Sequence, residues 1–316
     1  MIGWLVNDCL TCIPGTKTFW HDLLEHVPGL IDKTGGYTAF SILPDRIENL
    51  VVVEGLPNYL IRNATFFRRL NLSCPQISFL QDCYDSKEQQ IDVCNNSAAV
   101  VCNSNYVYEQ YKHYLTTDII EIIPIGIDFN LFKPLDDKDN IRKQLNILPN
   151  SILYVGSSAN YPKGFNFIMN IVNSTNYNFC FVMKDSFNIN HPRIKIFNKV
   201  NHNLLVKIYN SCELLLCTSV IETLHLAGIE AAACNLPLLT TNVGIYYNLQ
   251  SGVWGINSDI NNFVNNIKFI IDNKNIFSPR EYFIGKKFDK KDCMNKWINL
   301  INNIMRKEKI HVDGGV

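Results

Sequence analysis

Two glutamates eight residues apart carry the strongest chemical pattern in the chain: Glu222 and Glu230, within Cys217-Thr-Ser-Val-Ile-Glu222-Thr-Leu-His-Leu-Ala-Gly-Ile-Glu230-Ala-Ala-Ala. An apolar run closing at Cys217 reads as a strand, a loop carries Glu222, and a helix is expected from about Leu224. Eight residues at about 100° each bring Glu230 about 80° past two full turns, on the same side of the helix as its start. The helix N-terminus between the two carboxylates offers unpaired N–H groups and the positive end of a dipole, which suits a phosphate. A carboxylate beyond a phosphate site accepts hydrogen bonds from ribose hydroxyls. Taken alone, the same spacing is also that of a solvated helix face.

These residues must be presented by strands. Short apolar, β-branched runs alternate with longer helical patterns, the signature of parallel strands joined by crossover helices. Strands are expected at 2–6, 49–53, 76–80, 98–102 and 119–123, then more clearly at 151–155, 178–183, 193–197, 213–217, 236–240 and 253–256. Pro134-Leu-Asp-Asp-Lys-Asp-Asn140 is charged and opened by proline, so it reads as a linker. The fold class expected is α/β, with two Rossmann-like doubly wound domains facing a cleft: residues 1–132, then 133–288. A closing amphipathic helix over 289–307 is expected to return to the first domain, with Cys293, Met294, Trp297, Ile298, Leu300, Ile301 and Ile304 at near-helical spacing. Ligands of such sheets bind beyond the carboxyl ends of strands, so the motifs that matter follow strands.

Four features then stand in order. They are Ile122-Ile-Pro-Ile-Gly126-Ile-Asp128-Phe-Asn-Leu-Phe132-Lys-Pro; Tyr154-Val-Gly156 followed by Pro162-Lys163-Gly164; the run from Arg193 through Leu204 and Tyr209 to Cys212; and the Glu222/Glu230 pair. As a set, over roughly residues 97–244, they resemble the retaining nucleotide-sugar glycosyltransferases of family 4 (glycosyl transferases group 1), which have the GT-B fold. The resemblance implies a nucleoside-diphosphate sugar in the second domain, with Lys163 on the diphosphate, Glu230 on the ribose and Glu222 near the transferred sugar. Lysine is a point cation suited to phosphate, and Gly156 and Gly164 permit close backbone approach and a tight turn. Asn198 to Val200 correspond to the segment whose backbone meets the base. Thr223, Leu224, His225 and Leu226 line the start of the helix on the donor side. Neither a metal nor a cofactor is implied, and catalysis would be electrostatic, with Glu222 orienting rather than attacking.

The departures are as informative. The family usually has Arg after the first Gly of its Lys-Gly loop, where this chain has Ser157. Its Gly-Phe-Gly after the first Glu reads Thr223-Leu224-His225 here, so a side chain projects where backbone would approach phosphate. The first-domain His of the family is replaced by Gln81 and Asp82, the candidates for its place. In the first domain, Ile13-Pro-Gly15-Thr16-Lys-Thr leads into a helix with Trp20 and His21, a possible phosphate loop with an acceptor-side base.

Composition excludes several classes. With 29 basic and 29 acidic residues, there is no global field to draw the chain onto DNA or an acidic membrane, which leaves nucleic acid an improbable partner and membrane contact at most peripheral. The first lysine is Lys17 and Asp8 interrupts the first apolar run, so the N-terminus does not read as a secretory signal. Eleven cysteines, several inside strand-like runs, suit reduced thiols and a cytoplasmic setting. The Cys9-x-x-Cys12 pair has no second pair at zinc spacing and reads as packing. Asp137-Lys-Asp139 has a metal-binding form but lies in the expected linker, and Phe66-Phe-Arg-Arg-Leu70 reads as a solvated helix end. The expected function is transfer of a sugar from a nucleoside-diphosphate donor to a hydroxyl acceptor with retention. A DNA-base glycosyltransferase of viral type, a non-catalytic nucleotide-sugar binding module, and an epimerase or hydrolase on the same architecture remain alternatives.

Overall fold

The computed structural model describes the strand backbones at 2–5 and 50–54 and residues 75–81, 87–159, 161–246 and 252–313. Gly15, Thr16, His21, Asp82, the Cys9/Cys12 pair and the 66–70 segment lie outside the described residues. The chain forms two compact units, residues 1–126 with 290–316, and residues 127–289.

In the first unit the order is β1 Ile2–Leu5, β2 Leu50–Glu54, β3 Gln76–Leu80, α1 Lys87–Asn95, β4 Ala99–Cys102, α2 Asn105–Tyr111 and β5 Ile120–Ile122. The five strands pair in chain order, all parallel. A strand covered on both faces must be apolar throughout, and β4 (Ala-Val-Val-Cys) is buried at every position. At the edge, β5 (Ile-Glu-Ile) turns Glu121 outward, which blunts an exposed pairing surface. Ser104 caps α2 by accepting from the Val107 N–H at 3.3 Å.

The second unit runs α3 Lys138–Leu145, β6 Ser151–Gly156, α4 Phe165–Ser174, β7 Asn178–Met183, β8 Ile194–Asn198, α5 His202–Ser211, β9 Leu214–Cys217, α6 Leu226–Ala233, β10 Leu238–Thr241, β11 Val253–Ile256, α7 Ile260–Asp272 and α8 Pro279–Gly285. Its six parallel strands are ordered β11-β10-β9-β6-β7-β8. The chain therefore winds outward from β6 through β7 to β8, jumps back to place β9 on the other flank of β6, and winds outward again. The reversal falls between β6 and β9, so the loops leaving their carboxyl ends diverge and open a crevice. Leu214–Cys217 and Ser151–Tyr154 are wholly buried at this centre, and the core below them holds Phe179, Phe181, Phe263 and Ile267.

The 134–140 segment is not a linker. The chain leaves the first unit at Gly126, and Leu135 already donates its N–H to Asn210 Oδ1 at 2.8 Å inside the second. Lys138 opens α3, whose Arg142 donates to the Ser211 carbonyl at 2.8 Å and pairs with buried Glu213. Lys274 takes the other oxygen of Glu213 at 2.5 Å. Charge along α3 reflects its solvent face, a pattern that a linker shares. At the true crossing, Ile127 donates to the Phe288 carbonyl at 3.0 Å, and a Cβ on Gly126 would stand 2.5 Å from the Lys290 backbone. That close passage requires the glycine of the Ile-Pro-Ile-Gly sequence.

The chain ends in α9, Lys290–Asp313, which belongs to the first unit. Its Trp297 is fully buried and meets Phe79 of β3 edge-to-face, with ring centroids 5.2 Å apart. Among the described residues no helix is long and apolar enough to cross a membrane. The seven described cysteines are free and buried. Truncating Trp297 to Ala should lower the unfolding free energy of the first unit by about 3–5 kcal/mol, read as a drop in its denaturant midpoint. An unchanged midpoint would show that α9 does not depend on this anchor.

Candidate functional site

Three neighbouring strands, β6, β9 and β10, send their following loops to one place. The loop after β6 carries Lys163, and the loop after β9 carries Glu222. Lys163 Nζ stands 2.5 Å from Glu222 Oε1 across 59 residues of sequence. Ser219 Oγ donates to the same oxygen at 2.8 Å.

The two loops are locked together by backbone. Val220 N–H donates to the Pro162 carbonyl at 2.8 Å, and Thr218 Oγ1 donates to the Lys163 carbonyl at 3.3 Å. Gly164 has φ +64°, and a Cβ there would lie 1.9 Å from the Thr218 carbonyl oxygen, so no side chain fits. From β10, Thr241 Oγ1 donates to the Ser219 carbonyl at 2.5 Å, and Gly244 at φ +58° passes beneath the Glu222 carbonyl. The Tyr161–Pro162 bond ahead of Lys163 is cis.

At the end of β6, a Cβ on Gly156 would meet the Tyr154 phenol at 2.5 Å. The loop beyond is tied back by Tyr154 Oη, which donates to the Ser157 carbonyl at 3.0 Å, and by Asp185, which accepts from the Ser158 N–H and hydroxyl. Burial pushes the Asp185 carboxyl up, but the Ser158 hydrogen bonds outweigh it and leave the group below its ordinary value. Asn198 spends its amide on the Phe187 backbone, donating at 2.9 Å and accepting at 3.3 Å. Lys199 follows at φ +51°, its N–H donating to the Met183 carbonyl at 3.0 Å, and Val200 is half-buried beyond it.

The helix after Glu222 begins two residues later than the sequence pattern suggests. His225 is its N-cap at φ +45°, and α6 starts at Leu226. Leu224 is 3% exposed and packs in the core, while Thr223 and Leu226 are half-buried. Left-handed backbone is unusual for a residue other than glycine or asparagine, and its presence here fixes where the imidazole points. His225, Glu222 and Cys217 bring one nitrogen, oxygen and sulfur within 4.8 Å of one another.

Electrostatics separate these groups. Burial alone would raise the Glu222 carboxyl, but the Lys163 charge and the hydrogen bonds from Lys163 and Ser219 hold it below the ordinary value. Burial pulls the His225 imidazole down to about 4, against the attraction of Glu222 and with the repulsion of Lys163. At neutral pH the imidazole is therefore uncharged and Lys163 is the cation facing Glu222. The Cys217 thiol is pushed up to about 12 by burial and by the Glu222 charge, so it stays protonated.

Glu230, in the second turn of α6, is 6% exposed and accepts from Tyr209 Oη at 2.9 Å. Burial raises its carboxyl to about 7, with the Tyr209 hydrogen bond pulling the other way. Of the first-domain candidates, Gln81 follows β3 and its carbonyl accepts from Asn103 Nδ2 at 2.9 Å. The structure thus gathers Gly156, Lys163, Gly164, Glu222 and His225 around the β6/β9 crevice. Ser219, Thr218 and Thr241 escape sequence reasoning because each acts on a residue distant in the chain, and although the sequence singles out the run through Tyr209, no local spacing announces its bond to Glu230.

Comparison with known proteins follows this geometry. Residues 149–273 match the family model Glycosyl transferases group 1. The chain takes the GT-B glycosyltransferase fold. Sucrose-phosphate synthase of Thermosynechococcus elongatus superposes with a TM-score of 0.72 at 16% identity, covering 85% of this chain and 77% of that one. HepE of Anabaena, solved with UDP-glucose, gives 0.75 at 15% identity, covering 96% and 99%. The α,α-trehalose 6-phosphate synthase of Burkholderia multivorans gives 0.66 at 10% identity, covering 85% and 74%. A search of curated protein sequences finds no match.

The raised Glu230 carboxyl has a signed consequence for stability. Between the unfolded value of 4.5 and the folded value of about 7 the unfolded chain gives up its proton first, so this group's contribution falls as pH rises and then levels off. Glu230→Gln should therefore exceed the wild type in stability at pH 8 by up to about 3 kcal/mol. The difference should shrink toward zero near pH 4.5, as read from denaturant midpoints across the range. A pH-independent difference would place the Glu230 carboxyl at an ordinary value.

Proposed function

We propose that this chain is a glycosyltransferase that moves a sugar from a nucleoside-diphosphate donor to a hydroxyl acceptor, with retention and without a metal. The observation that carries the reading is the convergence of Lys163 and Glu222 at 2.5 Å on the β6/β9 switch point of a group 1 glycosyltransferase unit. The UDP-glucose bound by Anabaena HepE, which shares the fold, supports the donor class.

Lys163 supplies the positive charge that the leaving diphosphate needs. It exchanges Glu222 for phosphate oxygens, which carry more charge and accept more bonds. The exchange leaves Glu222, still held by Ser219, free to orient a hydroxyl of the transferred sugar. The start of α6 turns the positive end of its dipole toward the same anion. Glu230 accepts from the ribose.

The metal-free part of the reading rests on Lys163. Cys217, Glu222 and His225 have the donor types of a metal site, but an ammonium already sits on the carboxylate and the thiol holds its proton. A divalent ion would have to displace the first and deprotonate the second.

A thermal-shift screen of UDP-, GDP-, ADP- and TDP-sugars tests the reading. A donor at about 100 times its dissociation constant should stabilise the wild type by about 2.7 kcal/mol, and Lys163→Ala should abolish the shift. Turnover should then release nucleoside diphosphate undiminished by a chelator. No shift in folded wild type would overturn the donor reading. Binding without release of diphosphate would assign a non-catalytic nucleotide-sugar binding module, and loss of turnover on chelation would return the Cys217/Glu222/His225 group to a metal role.

A further inference from the structure

Glu230 is a buried carboxylate. Tyr209 Oη–H donates to its Oε2 at 2.9 Å. A carboxylate offers about four acceptor positions, so one phenol leaves Glu230 with capacity to accept from a ligand hydroxyl.

The phenol is itself held rigidly. Tyr209 is 1% exposed, and the ring of Phe132 meets it edge-on with centroids 6.2 Å apart. Phe132 is clamped in turn: Arg280 donates to its carbonyl at 2.9 Å and to that of Phe129 at 3.0 Å, with the guanidinium 5.3 Å from the Phe129 ring centre. Asn210, next to Tyr209, donates to the Lys133 carbonyl at 3.0 Å and accepts from Leu135 N–H at 2.8 Å. The 129–135 segment thus fixes where the phenol points, although it lies far from Glu230 in sequence.

We propose that Tyr209 is a positioning residue for nucleotide recognition: its phenol pins Oε2 of Glu230 and presents Oε1 to a ribose hydroxyl. The inference rests on the donor-site reading above, with Glu230 at the ribose. Holding one oxygen removes the rotation of the carboxylate that a ribose would otherwise have to freeze. The phenol also favours the charged carboxylate, opposing burial, which pushes the group to about 7. The titratable groups described beside Glu230 are Tyr209 on α5 and Cys234 at the end of its own helix, whose thiol burial raises to about 12.

The test is calorimetric binding of UDP, GDP and ADP beside their 2′-deoxy forms, from pH 6 to 8.5, to wild type, Tyr209→Phe, Glu230→Gln and the double variant. The wild type should prefer the ribose form of its nucleotide by about tenfold or more at pH 8.5, as hydrogen bonds to charged groups allow. The preference should fall away as pH drops through the Glu230 titration. Tyr209→Phe should cut the preference to within about threefold of unity. It should also move the fall to higher pH, because the charged carboxylate has lost a donor. In the Glu230→Gln background, Tyr209→Phe should change the preference no further, since the two act as one unit.

An unchanged ratio and midpoint in Tyr209→Phe would overturn the proposal, as would an equal loss in the Glu230→Gln background. If Tyr209→Phe does not fold, 3-fluorotyrosine at position 209 keeps the ring and strengthens the donor, so the midpoint should move to lower pH. A midpoint that stays put there overturns the proposal too. Nucleotide binding with no ribose preference in wild type defeats this inference alone. No nucleotide binding at all defeats the donor reading and this inference with it.

Discussion

The ion pair between Lys163 and Glu222 is the constraint on which the second unit turns. A buried carboxylate and an ammonium lose more hydration on leaving water than a single contact returns, so such a pair persists only with precise geometry and supporting hydrogen bonds. The surrounding loops supply both. Ser219 bonds the carboxylate, Val220 ties its loop to Pro162, and Thr218 ties it to Lys163. Gly164 and Gly244 let two chains pass where any side chain would collide. Removing either charge would leave the other stranded.

Around that pair, the chain departs from the pattern it resembles in ways that have physical content. Ser157 stands where a second cation is usual, and the adjacent Ser158 is held by the Asp185 carboxylate. The positive charge of the site is thus concentrated on Lys163. His225 occupies a left-handed position that suits glycine, and it carries an imidazole to the start of α6. Burial there keeps the imidazole uncharged at neutral pH.

The strands were legible because the rule that forms them is local. Leu-Leu-Leu-Cys at 214–217 and Ala-Val-Val-Cys at 99–102 are apolar on both faces, which only a strand inside a covered parallel sheet requires. Ile-Lys-Ile-Phe-Asn at 194–198 alternates because β8 is an edge. The 134–140 segment misled for the same reason: a proline followed by charges looks alike in a linker and in the exposed start of a helix. The start of α6 was displaced because no Ser, Thr, Asp or Asn marks the cap, and the backbone instead turns through His225.

Sequence by itself determined the residue types at the strand ends: Gly156, Lys163 and Gly164 after one, Glu222 after another, Glu230 two turns into a helix. Those are properties of a dozen neighbouring residues, and period, turn chemistry and charge record them directly. Only the tertiary structure decided that β9 lies against β6, and with it that Lys163 meets a carboxylate 59 residues away. It also decided that Tyr209 reaches Glu230 and that Phe132 braces Tyr209. Strand order is set by how whole faces bury against one another, a sum over the unit that no local pattern encodes.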